Sequence, residues 1–309
     1  MIVSSALKRV YTFEDGSFIE NIAVRSNGHL VLTSLSHPRV YTIDPTSANP
    51  TPRIIAEFNS TVANGVTGVT EYAPDRFAFI AGQFSTANFS AEATALWSID
   101  LRGYSSSQQP QKIADLNNIF GNGLTTLPKT PGTVLFSDSI LGALWSVNTQ
   151  TGALRKVAQN EAFAPSNPTG PFPLGINGIR THGSDLYFVN SNQQRFAKVR
   201  IHADGTLAGN VTDLAAPRLD QGEVAFDDFT VDRAGRSWVA ALFDTLDVIL
   251  PDGELVVAAS GLNPNPLPHT AGPTSAAFGR GSKKQEQTLY ITSAFGIVFA
   301  LDTTKVVLK

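Results

Sequence analysis

Glu20, Thr67, Asn122, Asn177, Asp227 and the pair Thr274–Ser275 recur every 47 to 55 residues along the chain. All offer oxygen, none offers sulfur or imidazole, and two of them are carboxylic acids. Brought together in space, such a set has two chemistries open to it. One is proton transfer between a protonated and an ionised carboxyl, because two neighbouring acids cannot both ionise cheaply. The other is coordination of a hard cation such as Ca2+ or Mg2+, which takes all-oxygen donors. Left dry and unpaired, the same groups are costly, so a cation, water or a ligand has to compensate them. A hydrated channel with a polar mouth would meet that need and do nothing more.

The elements that must position these residues repeat with the same period. Six runs end in a polar turn: "RVYTID", "ALWSID", "ALWSVN", "AKVRIH", "LDVILP" and "IVFALD", spaced 48 to 56 residues apart. A strand-like run precedes each one ("HLVLTS", "RFAFIAG", "TVLFSDS" and their equivalents), and a more variable third run follows most of them. Ahead of each unit lies a short run of smaller residues ending in turn chemistry, such as Ser-Asn-Gly or Ala-Pro-Asp. Alternation and β-branched enrichment favour strands throughout. Four antiparallel strands at a period near fifty residues predict an all-β, six-bladed propeller filling residues 1–309 as one domain. Trp97 and Trp145 are then wedges between blades rather than ligand contacts. The sixth blade lacks an outer strand, and "LKRVYTF" (7–13) is predicted to supply it by pairing with residues 296–302; "KVVLK" (305–309) is the alternative. In that architecture the recurring polar residues open the innermost strands and face the axis.

Composition removes several classes. The 309 residues carry a net charge of −3, and no Lys/Arg stripe marks a nucleic-acid partner. Arg280, Lys283 and Lys284 form the densest basic spot, read as a solvated Gly/Ser turn. With no cysteine, thiolate catalysis, zinc–thiolate sites and disulfides are excluded. The opening "MIVSSALKRVYTF" lacks the apolar core of a signal peptide, and no segment is long enough for a membrane span.

Two Pro-rich loops border the same end of the predicted ring: residues 160–176 before Asn177, and residues 261–273 before Thr274. Phe172 comes from the first, Phe84 and Phe89 from "GQFSTANFSAEA", and Phe120 precedes Asn122. Exposed aromatics around a polar floor suit a small, largely apolar organic substrate, although the loops could simply cap the barrel. His269, in the second loop, is the histidine best placed for proton transfer.

The stretches "ENIAVRSNGHLVLT", "GINGIRTHGSDLYFVN" and "DDFTVDRAGRSWVA" resemble the senescence-marker-protein/gluconolactonase-like family of six-bladed propellers. That resemblance implies a divalent metal held by Glu20, Asn177 and Asp227, with a further pocket residue near Asn122, and lactone hydrolysis. Ile176 stands where the family has Pro before the Asn, and Asp228 where it has Gly after the Asp. The wording "FIENIAVRSNGHLVLT" and "DSILGALWSVNTQTGALRKV" is similar to a fungal secondary-metabolite branch that includes hetero-Diels–Alderases of tropolone-sesquiterpenoid biosynthesis. This implies cofactor-free cycloaddition of a quinone methide onto a humulene-type alkene. Glu20 or Asp227 would then be the acid, and Asn122, Asn177 and His269 would orient polar oxygens. Three readings follow, in order: pericyclase, metal-dependent lactonase, and non-catalytic binding propeller.

Overall fold

The computed structural model describes residues 6–13, 16–103, 109–170, 172–263 and 272–308. Their strands form six four-stranded antiparallel sheets. Each innermost strand packs against the next, and the sixth packs against the first, so the sheets close into a propeller ring. The six inner strands are Ile19–Val24, Gly65–Ala73, Gly121–Thr126, Ile176–His182, Ala225–Val231 and Pro273–Phe278. Among the described residues the α-helix is confined to one turn, Lys283–Glu286, and no helix is long and apolar enough to cross a membrane.

The seam closes as the sequence predicts. Leu7–Thr12 pairs antiparallel with Ile297–Asp302, Leu7 opposite Leu301 and Thr12 opposite Ile297. The C-terminal alternative turns into a short 3-10 segment, Thr303–Lys305, and adds no strand. Without the N-terminal strand, Ile297–Asp302 would present a row of unpaired backbone groups.

Two devices hold blade to blade. Large aromatics fill the interfaces: Trp97 meets Phe58 edge-on at 4.9 Å, Phe196 meets Phe229 at 4.9 Å, and Trp238 meets Phe278 at 5.7 Å. Such pairs add about 0.5–1.5 kcal/mol each beyond the area they bury. Trp145 packs into the cluster between blades two and three, as a wedge should. The second device is a hydroxyl latch onto the first carbonyls of the next inner strand. Thr67 Oγ1 donates to Gly121 O at 2.8 Å, Ser139 Oγ to Ile176 O at 2.6 Å, Ser191 Oγ to Phe226 O at 2.8 Å, and Thr274 Oγ1 to Ile19 O at 2.6 Å.

Deleting residues 1–12 should leave Ile297–Asp302 as an open edge. Native-state hydrogen exchange should show protection lost first there and at Thr288–Ser293, while the other five blades keep theirs.

Candidate active site

All six inner strands break register at one level. The irregularities fall between Ile19 and Asn21, Val66 and Val69, Gly121 and Leu124, Ile176 and Ile179, Phe226 and Phe229, and Pro273 and Ser275. A bulge bends the strand and re-aims its side chains. Here the bulges carry Glu20, Thr67, Asn122, Asn177, Asp227 and Thr274, the residues singled out by their spacing. Five are buried, and Asp227 keeps intermediate exposure.

Within this ring the six differ. Thr67 and Thr274 spend their hydroxyls on the neighbouring blade, so they hold the ring rather than reach a ligand. Asn177 Nδ2 donates to Asp227 Oδ1 at 2.8 Å and to Ser191 Oγ at 3.1 Å, leaving its buried Oδ1 without a partner. Glu20 and Asn122 make no side-chain hydrogen bond with any described residue.

A second layer lies one residue further along, and sequence reading singled out only its Ser275. In blades two, three and four its positions are Gly68, Gly123 and Gly178. A Cβ there would sit 2.0 Å from Asn122 O, 2.5 Å from Asn177 O and 2.2 Å from Asp228 Oδ1 respectively. The Thr-Gly and Asn-Gly pairs therefore serve close approach of adjacent strands at the axis, not turns. In blades five, six and one the same positions are Asp228, Ser275 and Asn21. Asp228 Oδ2 accepts from Arg180 Nη2 at 2.7 Å, Asn21 Nδ2 at 2.8 Å and Ser275 Oγ at 2.9 Å. The missing side chain at 178 leaves the room into which Asp228 fits and across which Arg180 reaches it. The signals were the Asp-Asp doublet at 227–228 and the glycine repeated at 68, 123 and 178.

The two free acids feel this enclosure. Burial, then the charge of Asp228, pushes the Glu20 carboxyl from 4.5 up to about 7. Asp227 is held well above the ordinary carboxylate range, first by burial and then by Glu20 and Asp228, against the opposing Asn177 hydrogen bond. The hub thus pairs two acids both held above the ordinary carboxylate range, the direction of shift that general acid–base chemistry uses near neutral pH.

The expected aromatic rim is corrected in part. Phe84 and Phe120 are buried edge-to-face at 5.5 Å in the core between blades two and three, not exposed. Phe84 is drawn in because Asn64 clamps its backbone from both sides, Nδ2 to Phe84 O at 2.9 Å and Phe84 N to Oδ1 at 2.8 Å. The segment around it is strand, Arg76–Ser85 and Ser90–Asp100, rather than loop. Phe89, at the tip of this long hairpin, and Phe172 keep partial exposure. Amide side chains strap the 160–176 loop: Asn190 Nδ2 reaches Ala162 O and Ala164 O, and Asn192 Nδ2 reaches Phe172 O at 2.6 Å. His269 lies outside the described residues.

Residues 172–295 match the family model of the SMP-30/Gluconolactonase/LRE-like region. A proposed hetero-Diels-Alderase, asR5, of Sarocladium schorii is 26% identical over 96% of this chain and 83% of its own length. A second protein of that name, from a Phoma species, is 26% identical over 92% of this chain and 85% of its own. The solved luciferin-regenerating enzyme shares the fold, with a TM-score of 0.66 at 16% identity, covering 96% of this chain and 94% of its own.

The SMP-30/gluconolactonase resemblance implies a divalent cation, and the oxygens present fit one. The partnerless Asn177 Oδ1 and two carboxyls whose charge no nearby cation bonds form a hard donor set. Glu20, Asn177 and Asp227 would hold it, and a bound cation would polarise a carbonyl or acidify water.

Two outcomes test the hub. The folded protein holds a proton on Glu20 from pH 4.5, the unfolded value, up to about 7. Stability is therefore full below the lower value and falls as pH rises through the upper one. The loss is on the order of 3 kcal/mol. Glu20→Gln should flatten this dependence and unfold at a higher temperature than the parent at about pH 8. Gly178→Ala should cost about 2–3 kcal/mol in urea denaturation, because its methyl group meets the Asp228 side chain and Cα.

Proposed function

We propose that the hub is the active site of a pericyclase of the hetero-Diels–Alder type, joining a tropolone-derived quinone methide to a humulene-type sesquiterpene. The supporting observation is that two acids held above the ordinary carboxylate range, Glu20 and Asp227, sit together at the bulged starts of the inner strands. The relatives named hetero-Diels-Alderase support the reaction class.

The chemistry asks little of a nucleophile. In the first step a hydroxymethyl tropolone loses water. Asp227, held well above the ordinary carboxylate range, donates a proton to the leaving hydroxyl. Glu20, ionised above about pH 7, accepts the proton of the ring hydroxyl. One proton passing back from Glu20 to Asp227 resets the pair. The quinone methide then adds across the alkene, forming one C–C and one C–O bond with no group gained or lost. Catalysis of this step is mainly positioning, worth up to about 7–11 kcal/mol when the partners are held in a near-attack arrangement. The Asn122 amide orients the oxygen of the heterodiene by donating from Nδ2, the partnerless Asn177 Oδ1 accepts from a substrate hydroxyl, and the partly exposed Phe89 and Phe172 receive the terpene.

The second reading, a metal-dependent lactonase, is favoured by the partnerless Asn177 Oδ1. Turnover of a hydroxymethyl tropolone with humulene, followed by product chromatography, separates the two. Glu20→Gln and Asp227→Asn should each lower kcat by about 10²–10⁴-fold, and kcat/KM should rise through about pH 7. Turnover that survives EDTA supports the pericyclase. A stoichiometric bound metal together with EDTA-sensitive lactone hydrolysis, and no cycloadduct, overturns it.

A further inference from the structure

The acids crowd one end of the axis, where the inner strands start. At the opposite end, where the inner strands of blades five and six stop, lies a cavity of about 820 Å³. That volume suits a small-molecule ligand. Its wall is cationic although the chain as a whole carries −3: Arg233, Arg236, Arg280 and Lys283 face the carboxylates Asp232 and Glu286.

These cations are of two kinds. Arg236 is fixed, its Nε donating to Asp232 Oδ2 at 2.6 Å, while Asp232 is itself held by Trp238 Nε1 at 3.1 Å. Arg280 is fixed as well, bonded to Val24 O at 2.9 Å and to Glu71. A guanidinium already immobilised keeps unused N–H donors and loses little freedom on meeting an oxyanion. The other two are exposed. The Lys283 ammonium has no ion pair among the described residues, and Arg233 is 91% exposed with Glu286 at 3.5 Å. Between them Phe278 supplies an apolar wall, its ring locked edge-on against the buried Trp238. Read in sequence as a solvated turn, the Arg280–Lys284 segment becomes one side of a built cavity once blade five brings Arg233 and Arg236 opposite it.

We propose that this cavity binds a small phosphate or pyrophosphate ester, its oxyanion among Arg233, Arg236, Arg280 and Lys283 and its apolar part on Phe278. The site is separate from the hub and independent of the chemistry assigned there. Held and exposed cations divide the work: the Arg236 and Arg280 guanidiniums define where the anion sits, and the exposed Arg233 and Lys283 side chains close over it.

Isothermal titration of the full chain with inorganic pyrophosphate tests the site. Saturable binding is expected, weakened about tenfold or more in Arg233→Ala/Lys283→Ala, which removes two charge-assisted contacts. Lys129→Ala, on blade three, should leave it unchanged. Both replaced side chains are solvated, so the thermal midpoint serves as the folding control. Phenyl phosphate should bind more tightly than methyl phosphate if Phe278 takes the apolar part. The proposal fails if the parent shows no saturable binding or if the double variant binds pyrophosphate as the parent does. It also fails if citrate binds as tightly as pyrophosphate, or if methyl phosphate matches phenyl phosphate.

Discussion

Three carboxyl groups, Glu20, Asp227 and Asp228, are buried or half-buried around one axis with the Arg180 guanidinium bonded to only one of them. That imbalance of charge in a place of low polarity governs the rest of the hub. Arg180, Asn21 and Ser275 converge on Asp228 and saturate one of its oxygens. The remaining two acids have no such partner, so the cheapest state keeps protons on them. Protonation of the first layer therefore depends on a second layer that fixes Asp228 in place. That second layer exists only because three inner strands carry glycine where they pass closest to their neighbours.

Much of this was legible in the sequence because strand periodicity and the hub share one repeat. Once "ALWSID" and "ALWSVN" set the spacing, the six axial residues fell out as equivalent positions, and the orphan strand at Leu7–Thr12 found its seam. The rest of the second layer escaped for a physical reason. Alternation says which face a side chain takes, but a bulge changes the parity, and six coincident bulges decide what reaches the axis. Arg180 looked like an ordinary strand residue until the space above Gly178 was visible. Phe84 was misjudged because "GQFSTANFS" is rich in turn formers, and Phe120 because only Gly121 separates it from the axial Asn122. Cross-strand pairing and the Asn64 clamp override those local preferences and carry Phe84 inward. The hydroxyls of Thr67 and Thr274 were read as ligand-facing because type and position alone cannot tell a latch from a binding group.

The ring is also unequal along its axis. Blades five and one carry the acids at one end, and blades five, six and one border the cationic cavity at the other. Blades two to four carry neither, but they contribute the long Arg76–Asp100 hairpin and the strapped loop. One sector is thus electrically polarised along its length, and the opposite sector supplies shape.

The glycine half of the second layer has a geometric corollary. Strands lacking side chains at 68, 123 and 178 pack to backbone contact, so that half of the floor is neutral and inflexible. The half built from Asn21, Asp228 and Ser275 presents fixed dipoles and charge. The start of the axis is therefore divided into two unlike semicircles by the main chain itself, one closed by backbone against backbone and the other lined with polar side chains.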